Sequence, residues 1–195
     1  KSFQDLSLLF LHHNILPRTA GNHPSASKLL ASAVALPESP FYVLSPCDTV
    51  IHGATHLFHE GELHNGLRDL FDLDALVREF AAQDPAFWAV LPARAAELDL
   101  VWPLQLSLRY LEYFLATPIP AETKIALHEA KLANRLHDMM YLSGFLPDHP
   151  LCNSAKTSLA RGLLYLRGHW LRMPPHLLAL HLGRKAFMRL YKNTS

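Results

Sequence analysis

Apolar residues recur at helical spacing over most of the chain, and the clearest run lies between Ser45 and Leu76. Ser45 stands as an N-cap and Pro46 suits the first helical position, while Asp48 sits three residues on and can reach back to the cap. Val50, Ile51, Ala54, Leu57 and Phe58 then form an apolar face, which Gly61 is placed to terminate. A second helix follows, with Leu67, Leu70, Phe71, Leu73, Leu76, Val77 and Phe80 turned inward. Asp84-Pro85 restarts a helix over residues 86–98 that buries Phe87, Trp88, Leu91 and Leu98, and Pro92 is expected to bend or split it. Trp102-Pro103 opens the next, through about residue 116, with Leu104, Leu108, Leu111 and Leu115 on one face. Residues 117–120 are a rigid break and residues 122–143 are helical again. Residues 153–171 form a further helix whose Leu163, Leu164, Tyr165, Leu166, Trp170 and Leu171 read as core. After the break at Met173-Pro174-Pro175, residues 176–191 make a last amphipathic helix with a basic end.

The first part of the chain has a different pattern. Residues 3–16 are an apolar run ending at Pro17, which reads as a buried strand or half a hairpin. Residues 18–27 are a loop, 28–36 a short helix, 37–40 a turn and 41–44 an extended piece leading into the Ser45 cap. The expectation is therefore a mainly α fold: an extended or loop segment over residues 1–44 with a short β element, then an α-helical domain over residues 45–195. No period of 20–50 residues marks a repeat array.

Composition narrows the function classes. Half of the 195 residues are hydrophobic and 18% are charged, enough for a sizeable core. A formal net charge of +1 gives no strong nucleic-acid signal. The two cysteines have neither metal-type spacing nor a disulfide framework, and no signal peptide is visible, which fits a cytoplasmic setting. No apolar run approaches the ~18 residues of a membrane span, so no membrane partner is expected.

The polar groups of the central run carry the candidate chemistry. Asp48, His52, His56 and His59 follow at i, i+4, i+8 and i+11, on one stripe of a helix. The next helix carries Arg68, Asp69, Asp72 and Asp74 near its start. In one reading His52, His56, His59, Arg68, Asp69 and Asp72 bind a substrate, or Asp48, His52 and His56 hold a divalent metal, since imidazole and carboxylate suit zinc, iron or manganese. In the other, the histidines fill a helix–helix seam, Asp48 serves the cap and Arg68 pairs with Asp72. A metal-dependent helical hydrolase and a non-catalytic binding module thus both stand. His137-Asp138, with His128 upstream, also matches the dipeptide of helical HD phosphohydrolases. Arg161, Arg167, Arg172, Arg184, Lys185 and Arg189 offer a basic surface near the C-terminus. No G-x-G-x-x-G, P-loop or G-x-S-x-G motif is present.

Longer stretches carry a resemblance. L-H-H-N-I-L-P, Y-V-L-S-P-C-D-T-V-I-H-G-A-T-H-L-F-H-E-G-E-L-H-N-G-L-R-D-L-F-D-L-D-A-L, F-W-A-V-L-P-A-R-A-A-E-L, L-P-D-H-P and L-L-Y-L-R-G-H-W-L-R-M-P-P-H-L-L resemble the bacterial uncharacterised nucleotidyltransferase family. The resemblance implies a polymerase-β-like protein: a small αβ catalytic domain, then a helical region, with nucleoside monophosphate transferred from an NTP by Mg²⁺ on three carboxylates. The Gly-Ser or Gly-Gly turn and the Asp-x-Asp strand that it implies upstream of the central block are not in this sequence, and Phe10 stands where the third carboxylate is expected. The chain begins with Lys1 rather than Met. It is expected to be the C-terminal helical portion, with the end of the catalytic domain in residues 1–44, and to need a missing N-terminal catalytic domain or partner chain. No catalytic residue and no cofactor are expected in this chain, Mg²⁺ belonging only to an intact member, while a nucleotide remains a possible ligand.

Overall fold

The computed structural model describes residues 15–16, 19–22, 24–61, 63, 65–127, 135–174, 176–180, 183–184 and 188. Of the expected strand over residues 3–16, residues 3–14 with Phe10 lie outside these residues, as do His128, Lys185 and Arg189, while residues 15–16 form a bend. The elements in order are α1 (Ala26–Ala31), β1 (Val34–Ala35), β2 (Tyr42–Val43), α2 (Pro46–Glu60), α3 (Gly66–Gln83), α4 (Phe87–Glu97), α5 (Val101–Leu115), α6 (Ala121–Leu127), α7 (Arg135–Gly144) and α8 (Ala155–Arg172). The protein is thus mainly helical, and its β structure among the described residues is one antiparallel pair, with Val34 opposite Val43 and Ala35 opposite Tyr42.

Helix α2 forms as its sequence dictates. Ser45 Oγ accepts from the Asp48 amide at 3.3 Å, Pro46 occupies the first turn, and Gly61 ends the helix in the left-handed region at φ 73°. Its apolar residues Val50, Ile51, Ala54, Leu57 and Phe58 are all buried. The helix touches α3, α4, α5 and α8, which makes it the axis of the bundle. Around Phe58 an aromatic cluster closes the core: Tyr141 lies at 5.3 Å between ring centroids, Tyr110 at 5.9 Å and Phe145 at 6.2 Å. At Gly61 the fold also demands the absence of a side chain, because a Cβ there would overlap the Leu164 carbonyl oxygen of α8.

Several elements depart from expectation. Residues 28–36 are not one helix. α1 stops at Ala31, where the Ser32 hydroxyl donates to the Lys28 and Leu29 carbonyls, and the chain then turns into β1. The Leu36 amide then bonds the Phe41 carbonyl at 3.0 Å to close the hairpin. Of the two outcomes expected at Pro92, the split does not occur: α4 runs unbroken past it. The missing Pro92 amide would leave the Trp88 carbonyl unsatisfied, and the buried Thr123 hydroxyl donates to that oxygen at 3.1 Å instead. On α8, of the apolar residues read as core, Leu164 is buried, whereas Trp170 is 60% exposed. The helix packs on α7 and α2 with the face of Thr157, Ala160, Leu164 and Gly168. Across the expected boundary at residue 44, Asn22 bonds Asp99 and Lys28 bonds Glu97.

Candidate functional site

The fifteen residues of α2 place its polar stripe against different neighbours. At ~1.5 Å rise per residue, Asp48 and His59 stand roughly 16 Å apart along the helix axis. Each end of the stripe therefore belongs to a different environment, and the stripe divides into three.

At the N-terminal end, Asp48 is fully buried and bound on both oxygens. Arg94 of α4 donates from Nε to Oδ1 at 2.7 Å and from Nη2 to Oδ2 at 2.9 Å. Ser32 Oγ donates to Oδ2 at 2.5 Å. Burial alone would raise the Asp48 pKa, but the bonds from Arg94, Ser32 and Ser45 outweigh it and hold the carboxyl below its ordinary range. Arg94 also reaches Glu97 Oε2 at 2.7 Å and the Lys28 carbonyl at 2.9 Å, so one guanidinium ties α1, α2 and α4 together. Removing one partner of such a buried pair costs about 3–5 kcal/mol, since the other charge is stranded. Beside it, burial and the Asp48 charge push the Cys47 thiol up to about 11, so it is a poor nucleophile.

At the C-terminal end, His59 is buried. Its ring meets Trp102 edge-on at 6.2 Å, and Arg167 of α8 stacks over the same Trp102 at 4.0 Å. Burial first, and then the Arg167 charge, pull the His59 pKa down to about 4, which keeps the ring neutral near pH 7. Arg167, expected on a basic surface, is instead built into the core, donating to the Phe58 carbonyl at 3.2 Å and the Tyr141 hydroxyl at 3.0 Å.

Between these ends, His52 and His56 face α3, their ring centroids 5.4 Å apart. With Asp69, Asp72, Gly53, Leu57, Leu73 and Leu76 they line an open recess of about 300 Å³. This is where four of the expected substrate-binding residues do come together. Its polar groups are two imidazoles and two carboxylates on an apolar floor, an arrangement that can exchange hydrogen bonds with a polar ligand from both sides. Arg68 is exposed on α3 and is not part of the lining, and His59 belongs to the core.

The metal set Asp48, His52 and His56 is not assembled, because Arg94 and Ser32 occupy both Asp48 oxygens. Among the described residues no group of three or more histidines, cysteines and carboxylates is placed to hold a metal ion. Asp72-Leu73-Asp74 has the spacing of Asp-x-Asp but lies on α3, where residues two apart diverge by ~200° rather than sharing a strand face. Asp72 lines the recess, while Asp74 accepts from Arg78 at 2.8 Å and from Thr117 at 2.6 Å. These carboxylates do not fit the three-carboxylate Mg²⁺ site of a nucleotidyltransferase. The Asp138 of the His-Asp dipeptide is likewise engaged, accepting from Arg109 Nε at 2.9 Å and Nη2 at 2.5 Å.

A protein-family model described as "Uncharacterised nucleotidyltransferase" matches residues 5–116, more than half of the chain. The chain belongs to this family. No curated protein and no solved structure matches it. The family segment runs through the end of α5, so it contains the hairpin, the Asp48–Arg94 node and the recess, while α6 to α8 follow it. Family membership confirms the resemblance carried by the central block. The pairings of Arg94 and Arg167 in the polar interior, and of Arg109 at the surface, were invisible as such in the sequence. The partners Asp48, Tyr141 and Asp138 lie 46, 26 and 29 residues away, and no local spacing connects them.

Proposed function

We propose that this chain is the helical region of a nucleotidyltransferase-family protein, in which nucleoside monophosphate passes from an NTP to an acceptor bound against the α2–α3 recess. The observation that carries the reading is that the family segment includes both this recess and a hairpin with an exposed apolar face. Phe41 is 69% exposed and Tyr42 68%, with Leu30, Val34 and Val43 beside them in the chain's first elements. A hairpin of this size does not stand alone on its own energetics, and the proposed cover is the αβ catalytic domain. His52, His56, Asp69 and Asp72 would then form one wall of the cleft, orienting the acceptor by hydrogen bonds, while the catalytic carboxylates come from the other side.

Nucleotidyl transfer by the 195 residues alone is not expected, because the Gly-Ser turn and Asp-x-Asp strand are not in the sequence. Incubating the purified chain with labelled NTP and Mg²⁺ or Mn²⁺ tests this: transfer or turnover would overturn the reading. The native mass and the coding sequence upstream of Lys1 give a second check, since a frame encoding those two elements supports the assignment and its absence removes the catalytic partner. A metal-dependent hydrolase draws no support from the geometry, with Asp48 and Asp138 both bound by arginines.

A further inference from the structure

Charge is distributed unevenly along the chain. Residues 149–195 contain eight lysines and arginines and no aspartate or glutamate, whereas residues 1–148 contain ten basic and seventeen acidic residues. The near-zero total hides an acidic body and a basic final quarter. Within that quarter, α8 exposes Leu159 (64%), Leu163 (41%), Leu166 (41%) and Trp170 (60%). Their spacing of i, i+4, i+7 and i+11 makes one stripe, roughly 16 Å long, on the side of α8 turned away from the bundle. The helix has two apolar faces, and the chain uses one.

We propose that this outward face of α8 docks on an anionic lipid surface. Three observations lead there. The stripe is aliphatic and ends in a tryptophan, the side chains that enter the boundary between headgroups and acyl chains; a phosphate backbone would draw on the cations and leave the leucines without a partner. Every charged side chain from residue 149 onward is a cation, and although Arg161 meets Asp148 at 3.7 Å the excess suits the summed potential of a headgroup plane. Part of that charge is fixed inside the fold: Arg167 donates to a carbonyl and a hydroxyl, neutral acceptors that leave its positive charge standing behind the stripe. Leu177 and Leu180, after the Pro174 break, are exposed as well. No described helix is long and apolar enough to cross a membrane, so the contact proposed is peripheral. This inference does not depend on the transferase reading.

The test is flotation of the 195-residue chain with vesicles of phosphatidylcholine alone and of phosphatidylcholine with phosphatidylserine. Binding to the phosphatidylserine vesicles, weakened by high salt and reduced about tenfold or more in Leu163→Ser/Trp170→Ser, is the expected result. Circular dichroism of that variant reports its fold. Should it fail to fold, Lys156→Glu/Arg184→Glu tests the electrostatic half, with loss of vesicle binding expected. No binding to phosphatidylserine vesicles, or binding that neither variant changes, overturns the proposal. So does salt-sensitive binding to single-stranded RNA, or to an acidic amphipathic peptide, that exceeds binding to the vesicles.

Discussion

At the scale of single residues, burial separates histidines that the sequence presents as equivalent. His52 and His56 line a solvent-facing recess, while His59, one turn further, is 3% exposed between Trp102 and the Arg167 side of α8. A helical stripe says which residues share a face; it does not say which neighbours that face meets along its length. For the same reason Asp48 was legible as a residue of the first turn, but its capture by Arg94 was not. The burial of His59 has a pH signature. Its folded pKa of about 4 lies below the ordinary value of 6.5, so between these values the unfolded chain binds the extra proton. Stability supplied by the neutral ring is complete above pH 6.5 and is lost as pH falls toward 4, by on the order of 3 kcal/mol. Urea midpoints measured at pH 7 and pH 4.5 should converge in His59→Leu by comparison with the unchanged chain. An unaltered pH dependence would mean that the ring is not held neutral by its site.

At the scale of elements, α2 was legible because its cap, its terminal glycine and its apolar period agree, and α3 and α5 because their apolar period is strong. Of the hairpin, the turn at 37–40 and the extended piece at 41–44 were legible, but β1 was not, because a two-residue strand has no period to read and the Ala-Leu content of residues 28–36 favours a helix locally. Continuity of α4 through Pro92 was also hidden, since it depends on a hydroxyl from α6, 35 residues from the carbonyl it satisfies. Thr123→Val keeps the shape of that side chain and removes its hydrogen. It should cost about 1–3 kcal/mol by leaving the Trp88 carbonyl unsatisfied in a buried setting, as read from the chemical-denaturation midpoint. A loss no greater than a few tenths would show that water reaches that carbonyl.

At the scale of the whole molecule, the family segment and the folding unit do not coincide. The match stops at residue 116, yet Phe58 and Tyr110 within it pack on Tyr141 and Phe145 beyond it. A chain ending at residue 116 should therefore lose its cooperative thermal transition and expose apolar surface to a dye such as ANS. A sharp transition like that of residues 1–195 would show that α6 to α8 are an appendage.

The close fit of Gly61 against Leu164, and of Arg167 against the Phe58 carbonyl, also sets an order in time. Arg167 leaves the ribosome 109 residues after Phe58, on the order of 5–20 s later at usual rates of synthesis. Throughout that interval the axial helix has no α8 to close on, and the nascent chain carries its central aromatic residue unfinished. The helix with the clearest signal in the sequence is thus among the last to be completed, and its survival until then falls to whatever shelters the growing chain.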